Sequence, residues 1–152
     1  MSEHHFMAIF NNKILLITLS VWATAQGLKV IFGFISERRF NFRWFIGTGG
    51  MPSSHAAGST ALATSCGFAY GFDSVIFALA AVFAMVTMFD AQGVRRSTGI
   101  QATILNRILD DIYWKGKIEA NRLKELIGHT PIQVFVGFVL GIFLSIFFYQ
   151  IF

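Results

Sequence analysis

Four long apolar runs constrain the fold of this chain more than any other feature of its sequence. They cover residues 12–35, 54–71, 74–89 and 131–152. A helix needs about 20 residues, with a range of roughly 17–25, to cross the hydrocarbon core of a bilayer. We therefore predict an all-α integral membrane bundle of about four transmembrane helices, in which residues 1–152 form a single membrane-embedded domain.

The composition supports lipid as the solvent. Charged residues make up 13% of the chain and hydrophobic residues 55%, and Phe alone occurs 18 times. Soluble domains carry about 25% charged residues. A soluble domain of 152 residues could not bury so much apolar surface, so we expect the bilayer to cover it.

The basic residues are distributed unevenly along the chain. Ten of the twelve Lys and Arg residues lie in the two longer connections, 36–53 and 90–130. With four spans, both connections lie on the same side of the membrane. Because basic loops are retained in the cytoplasm, we predict both connections inside, both termini outside and insertion in the plasma (inner) membrane.

Two further patterns concern packing. Residues 97–111 place isoleucines and leucines at helical spacing, which predicts an amphipathic helix that lies on the membrane or continues the third span. Gly137 and Gly141 form a GxxxG pair in the fourth span. Such a pair lets two helices approach closely, either within one chain or across a homodimer, and the sequence leaves both interpretations open.

The segment "GTGGMPSSHAAGST", residues 47–60, interrupts the apolar pattern just before the second span. Ser53 or Ser54 is a natural N-cap, and Pro52 suits a helix start. Capping accounts for neither His55 nor the glycines before it. A glycine-rich approach to a helix N-terminus offers free backbone N–H groups to an anion, so we predict a phosphate-binding site here.

The segment "LKELIGHTPIQVFVG", residues 123–137, repeats this arrangement before the fourth span. Thr130, Pro131 and Gln133 fit a capping box with Pro at its first helical position. Capping leaves His129 unexplained. Because the second and fourth spans both start at the cytoplasmic face, we predict that His55 and His129 share one site there.

Other charged residues lie near the same predicted face. Gln26 and Lys29 are three residues apart on the first span, hence on one helix face. A Lys inside a span is either functional or extended toward the interface. Asp90, Arg95 and Arg96 follow the third span, where the Arg pair is either a phosphate ligand or an ordinary basic membrane border.

These motifs together resemble a known superfamily. "MPSSH" followed by "GHTPIQVFVGFVLG" is similar to the type 2 phosphatidic acid phosphatases, a superfamily that includes the vanadium haloperoxidases. "GGMPSSHAA", "DAQGVRR", "QATILN" and "LKELIGHTP", in this order, resemble its divergent branch of small membrane proteins more closely. The resemblance runs from Gln26 to Gly141.

The resemblance implies a role for each matching residue. Lys29, Ser53 and Ser54 would bind the substrate phosphate. The Arg that the pattern requires has no direct match, and we place Arg95 or Arg96 in that role. His129 would be the nucleophile and His55 the acid that protonates the leaving alcohol. The family chemistry implies no cofactor and no metal, with vanadate or phosphate as occupants of the site.

The chain departs from the superfamily pattern at three places. No Arg-Pro follows Lys29, and Leu123 stands where the third motif has Arg. Gln133 stands where that motif has the Asp that orients the nucleophilic His. Gln133 is then the orienting residue, or Asp90 replaces the missing carboxylate.

Three functions follow as hypotheses. The first is a lipid phosphate phosphatase that hydrolyses a phosphate monoester or diphosphate through a phosphohistidine. The second is a lipid-phosphate-binding or assembly protein that keeps the anion pocket without turnover. The third is a metal-dependent headgroup transferase that uses Asp90, Asp110 and Asp111. All three take a lipid and the bilayer as partners, and none involves nucleic acid.

Overall fold

The computed structural model describes residues 8–38, 50–113 and 128–152, without the side chains of 94–96, 111 and 113. These residues form five long helices, a short helical segment at 8–10 and no strand, so the predicted all-α class is confirmed. The helices are α1 (Lys13–Glu37), α2 (Ser54–Tyr70), α3 (Val75–Gln92), α4 (Val94–Tyr113) and α5 (Pro131–Ile151).

Short polar residues start the four helices of the bundle. The side chains of Asn12, Ser53, Ser74 and Thr130 each accept a hydrogen bond from a backbone N–H in the first turn of the helix that follows. Such caps satisfy donors that have no partner inside the helix. Ser53 is thus the cap of α2, and the predicted capping box of α5 is confirmed with Pro131 inside it.

The bundle is built around α2, which packs against α1, α3 and α5. Helix α5 also contacts α1 and, over a shorter length, α3. No Cα atom of α1 lies within 8 Å of a Cα atom of α3. Three helices therefore surround α2, and every residue of α2 from Ser54 to Gly67 is buried or half-buried.

Small residues allow this close packing. Ile17, Val21 and Ala25 of α1 form the core with Ala57 and Ala61 of α2. A second cluster joins Ala63 and Cys66 of α2 to Ala80 and Ala84 of α3. Because alanine side chains are short, the helix axes can approach closely. Close van der Waals packing can then hold the helices together in a membrane, where no hydrophobic effect drives them to associate.

The GxxxG pair of α5 packs within the chain. A Cβ on Gly137 would collide with the backbone oxygen of Ser53, and a Cβ on Gly141 would lie 2.6 Å from the backbone oxygen of Ala57. Both glycines are buried against α2. Of the two interpretations of this pair, the intramolecular one is confirmed.

The close packing of Gly141 against α2 leads to a prediction for the stability of the protein. Gly141→Ala forces α5 away from the backbone of α2, and overpacking of this kind costs about 1–3 kcal/mol. Gly27→Ala is the matched control, since a Cβ there meets no atom within 4 Å. We expect Gly27→Ala to be neutral or to stabilise by up to about 1 kcal/mol. Thermal unfolding in detergent measures both variants, and equal melting temperatures would contradict the packing described.

Three helical stretches of the described chain are long and apolar enough to cross a membrane: α1, the run Val75–Asp110, and α5. Helix α2 was predicted as a fourth span, and it has 17 residues, which is at the lower limit for crossing. Helix α2 is also rich in small and polar residues, and its position explains this composition. Because the other helices enclose α2, these residues contact protein rather than lipid.

The predicted amphipathic segment is helix α4, which Gly93 separates from α3. Ile100, Ile104, Ile108 and Ile112 recur every four residues and are exposed, whereas Ala102 and Asn106 are buried. Both predicted features, the helix and its apolar stripe, are present. The loop and short helix predicted after it fall mostly on 114–127, outside the described residues.

Candidate active site at two helix N-termini

Three helix ends meet around His129. Its backbone N–H donates to the carbonyl oxygen of Ala91, in the last turn of α3, over 3.0 Å. The N–H of Ser53, at the start of α2, donates to the carbonyl oxygen of Gln133 over 3.1 Å. The N-termini of α2 and α5 therefore lie side by side with the C-terminus of α3. His129 lies between these three helix ends and is 1% exposed.

The side chain of Gln133 determines which nitrogen of His129 carries the proton. Its Oε1 accepts a hydrogen bond from the N–H of Thr130 over 3.0 Å and lies 3.3 Å from Nδ1 of His129. An amide oxygen is only an acceptor. Nδ1 must therefore be the protonated nitrogen of a neutral His129, and Nε2 carries the lone pair.

This Nε2 atom is buried and has no hydrogen bond of good geometry among the described residues, although the Gly50 backbone lies close enough to the ring to raise its pKa. Burial lowers the pKa of His129 to about 4, because the charged imidazolium would be poorly solvated. The contacts with Gln133 and the Gly50 backbone oppose this shift, while the charges of Lys29 and His55 add to it. At neutral pH, His129 presents an uncharged imidazole with an unused lone pair.

His55 lies in the first turn of α2 and faces His129. The ring centroids are 5.8 Å apart, and the ring planes meet at 63°. The His55 ring is half-buried, so it is the more accessible of the two. One group bound beside the two rings can reach both imidazoles.

Lys29 supplies the positive charge. Its Nζ donates to Oε1 of Gln26 over 3.1 Å and to Oγ of Ser54 over 3.4 Å, and the residue is 5% exposed. The side chain is directed inward and does not extend toward the interface. Neither Gln26 nor Ser54 carries a negative charge, so the lysine has a strong electrostatic preference for an anion.

Gly50 closes over Lys29. It has φ +81°, in the left-handed region, and a Cβ there would lie 3.2 Å from Cγ of Lys29. Only glycine adopts this conformation at low cost. The glycine-rich approach that was predicted from the sequence thus lets the backbone pass close to the lysine.

The described residues bring together five of the predicted site residues: Lys29, Ser54, His55, His129 and Gln133. Ser53 lies beside them, fully buried, with its hydroxyl oxygen capping α2. Asp90 is in the last turn of α3, next to Ala91. The side chains of Arg95 and Arg96 are outside the described part, so their phosphate contacts remain a prediction.

Two site residues were missed from the sequence. Gln26 was placed on the helix face of Lys29 without a role, yet its amide oxygen is within hydrogen-bond distance of the ammonium group. The carbonyl of Ala91 positions the backbone of His129. A backbone contact of this kind leaves no trace in residue type, whereas the three-residue spacing of Gln26 and Lys29 was a usable signal.

A metal centre is not assembled by the described side chains: no three His, Cys, Asp or Glu among them are grouped to hold an ion. Asp110 lies near the end of α4, and the side chain of Asp111 is not described. The transferase hypothesis, which needs Asp90, Asp110 and Asp111 together, gains no support from this part of the chain.

Fold and site define a class: a helical membrane protein in which two imidazoles and one lysine converge at adjacent helix N-termini. The chain belongs to the Divergent PAP2 family, whose model matches residues 10–144. It is 42% identical over 151 residues to the "Uncharacterized membrane protein YuiD" of Bacillus subtilis (strain 168), covering 92% of this chain and 96% of that protein. No solved structure matches it significantly.

Proposed function

We propose that the protein is a metal-independent phosphatase that hydrolyses a lipid phosphate monoester or diphosphate through a phosphohistidine. The observation that carries the proposal is the buried, unpartnered Nε2 of a neutral His129. A buried lone pair without a partner is costly, and attack on phosphorus would use it. Membership in the Divergent PAP2 family supports the same chemistry.

The first step forms a bond between Nε2 of His129 and phosphorus while the ester P–O bond breaks. The leaving oxygen takes a proton from His55, whose ring is adjacent. Lys29 and the N-termini of α2 and α5 stabilise the charge on the phosphoryl oxygens. In the second step, water attacks phosphorus, the P–N bond breaks, and His55 accepts the proton of that water.

The proposed substrate is a lipid because the bundle presents apolar side chains right up to the site. Trp22, Ile31 and Phe89 are each about half or more exposed on helices that reach the site end. Lipid is the natural cover of such surface. A phosphate group at the interface would therefore arrive at His55 with its chain on the membrane side.

Phosphate release by the purified protein tests the proposal. The protein in detergent is screened against lipid phosphate monoesters and diphosphates in the presence of a chelator, with His129→Gln as the matched variant. We expect release by the wild type and none by the variant. Absence of release from every lipid phosphate, by protein that melts cooperatively, would refute the proposed enzyme.

One observation favours a second function, a lipid-phosphate-binding protein without turnover. The residue that contacts Nδ1 of His129 is the neutral Gln133. A neutral amide does not stabilise the imidazolium-like charge that develops on attack as a carboxylate would. Saturable binding of a lipid phosphate that protects the protein thermally, together with no phosphate release, would support this function over the first.

Topology gives a separate prediction. The charge asymmetry between the connections predicts that the site end faces the cytoplasm and both termini face outward. In a Cys66→Ala background, Gly47→Cys and Lys117→Cys should resist an impermeant thiol reagent in intact cells, whereas Asp73→Cys in the exposed α2–α3 turn should react. Labelling at 47 and 117 with protection at 73 would reverse the orientation.

A further inference from the structure

Gln26 contacts the buried ammonium group of Lys29 without neutralising it. The two residues lie three apart on α1, and only 8% of Gln26 and 5% of Lys29 is exposed. Nζ of Lys29 donates a hydrogen bond to Oε1 of Gln26 over 3.1 Å. An amide oxygen is a neutral acceptor. This contact therefore stabilises the ammonium group and leaves its full positive charge in place.

The same hydrogen bond determines where the charge is held. Nζ of Lys29 also donates to Oγ of Ser54, in the first turn of α2, over 3.4 Å. The charge thus lies at the N-terminus of α2, close enough to His129 to help lower the pKa of that ring. An ammonium group has three N–H donors. Among the described residues Gln26 and Ser54 accept two of them, and an oxygen of a bound phosphate can accept the third.

The neutrality of Gln26 distinguishes an anion site from a structural lysine. Buried charges are ordinarily paired with an opposite charge. Glutamate has the same length as glutamine, so glutamate in place of Gln26 would keep the hydrogen bond and add the opposite charge. That carboxylate would also compete with any anion for Lys29. A neutral acceptor is therefore required if Lys29 binds an anion, and it is a disadvantage if Lys29 only stabilises the fold.

We propose that Gln26 is a positioning residue of the anion site, which holds the ammonium group of Lys29 toward the bound phosphate and preserves its charge. The inference rests on the proposed function for the position of the phosphate beside His129. It adds a residue that takes part in neither step of the reaction. The ligand is a phosphate group, either free or at the end of a lipid.

Equilibrium binding tests the proposal without turnover. Thermal protection in detergent measures the affinity for inorganic phosphate, and for a lipid phosphate in a His129→Gln background that does not hydrolyse it. Gln26→Glu should weaken binding by roughly 10- to 100-fold, the contribution of a hydrogen bond to a charged group. Its melting temperature without ligand should stay the same or rise. Gln26→Met should lower both affinity and melting temperature, because Lys29 loses an acceptor.

Two further variants serve as references. Lys29→Met gives the affinity that is left when the charge itself is removed, and Gln26→Glu should approach it. Gln150→Glu adds the same charge at an exposed residue in the last turn of α5, whose first turn is at the site. It should leave binding unchanged.

The outcomes separate this proposal from the proposed function. Wild-type affinity in Gln26→Glu, or the same loss in Gln150→Glu, would overturn the role of Gln26. So would equal losses of affinity and stability in Gln26→Glu and Gln26→Met, or no protection by either ligand. Protection by the lipid phosphate alone, with the expected order of variants, supports the role and assigns the site to a lipid headgroup. The expected order without phosphate release from any lipid supports the role and refutes only the phosphatase.

Discussion

We expect the replacement of His129 with glutamine to reduce phosphate release to background and to prevent formation of any covalent phosphoprotein. The substitution removes the only described imidazole whose Nε2 is both buried and unpartnered, and glutamine cannot act as the nucleophile. Binding should persist, because Lys29 and Ser54 remain. Steady-state phosphate release and equilibrium binding of a lipid phosphate, measured on the same preparation, separate these two effects.

His55 serves as the matched comparison within the same site. His55→Gln should slow hydrolysis of alkyl phosphates by about 10²–10⁴-fold, the usual contribution of a general acid. It should slow a nitrophenyl phosphate far less, since that leaving group needs little protonation. If His129→Gln showed the leaving-group dependence and His55→Gln abolished turnover, the two roles would have to be exchanged.

The second large effect concerns pH. Because the nucleophile must be unprotonated, kcat/KM should fall in acid with the pKa of His129, which burial lowers to about 4. Gln133→Glu keeps a side-chain acceptor for both Nδ1 and the N–H of Thr130 and adds a carboxylate. The carboxylate stabilises imidazolium, so the pKa of His129 should rise by about 1–3 units and the acid limb should move to higher pH.

Gln133→Met is the control that removes the acceptor. Losing a hydrogen bond worth about 0.5–1.5 kcal/mol in the transition state lowers kcat by up to about tenfold, and some stability of α5 is lost with its cap. An acid limb that stays at the same pH in Gln133→Glu would show that Gln133 only caps the helix and does not orient the nucleophile.

The helices and their caps were predictable because they depend on local chemistry. The ends of four apolar runs, a cap at Ser53 or Ser54, and a capping box of Thr130 with Gln133 follow from residue type and spacing. The structure agrees and selects Ser53 as the cap. Helix packing was less accessible. The Gly137–Gly141 pair was compatible with two partners, and only the position of α2 against α5 distinguishes them.

Within the site, the sequence indicated the participants more clearly than their contacts. Lys29 was identified because a charged side chain inside a membrane span is energetically costly. His55 and His129 were identified because helix capping does not explain them. The alternative that Lys29 extends to the interface is wrong, since the residue is 5% exposed. No local rule indicates burial of this kind, because it depends on where Gly50 and Ser54 pass over the side chain.

The sequence likewise indicated Gln133 as a participant without showing that one atom makes both of its contacts. Its spacing from Thr130 predicts capping, and its place in the family pattern predicts contact with His129. The structure has one oxygen within reach of both groups. Whether Asp90 assists, and which Arg contacts phosphate, stay predictions.

The central claim is that His129 forms a covalent bond to phosphorus. The most direct measurement is rapid alkaline denaturation of the wild type during turnover of a lipid phosphate, followed by peptide mass spectrometry under alkaline conditions, with brief acid treatment of a parallel sample to show that the phosphoryl group is acid-labile. We expect an acid-labile, alkali-stable phosphoryl group on His129, absent from His129→Gln and longer-lived in His55→Gln. A phosphoryl group on His55, or undiminished turnover in His129→Gln, would contradict it.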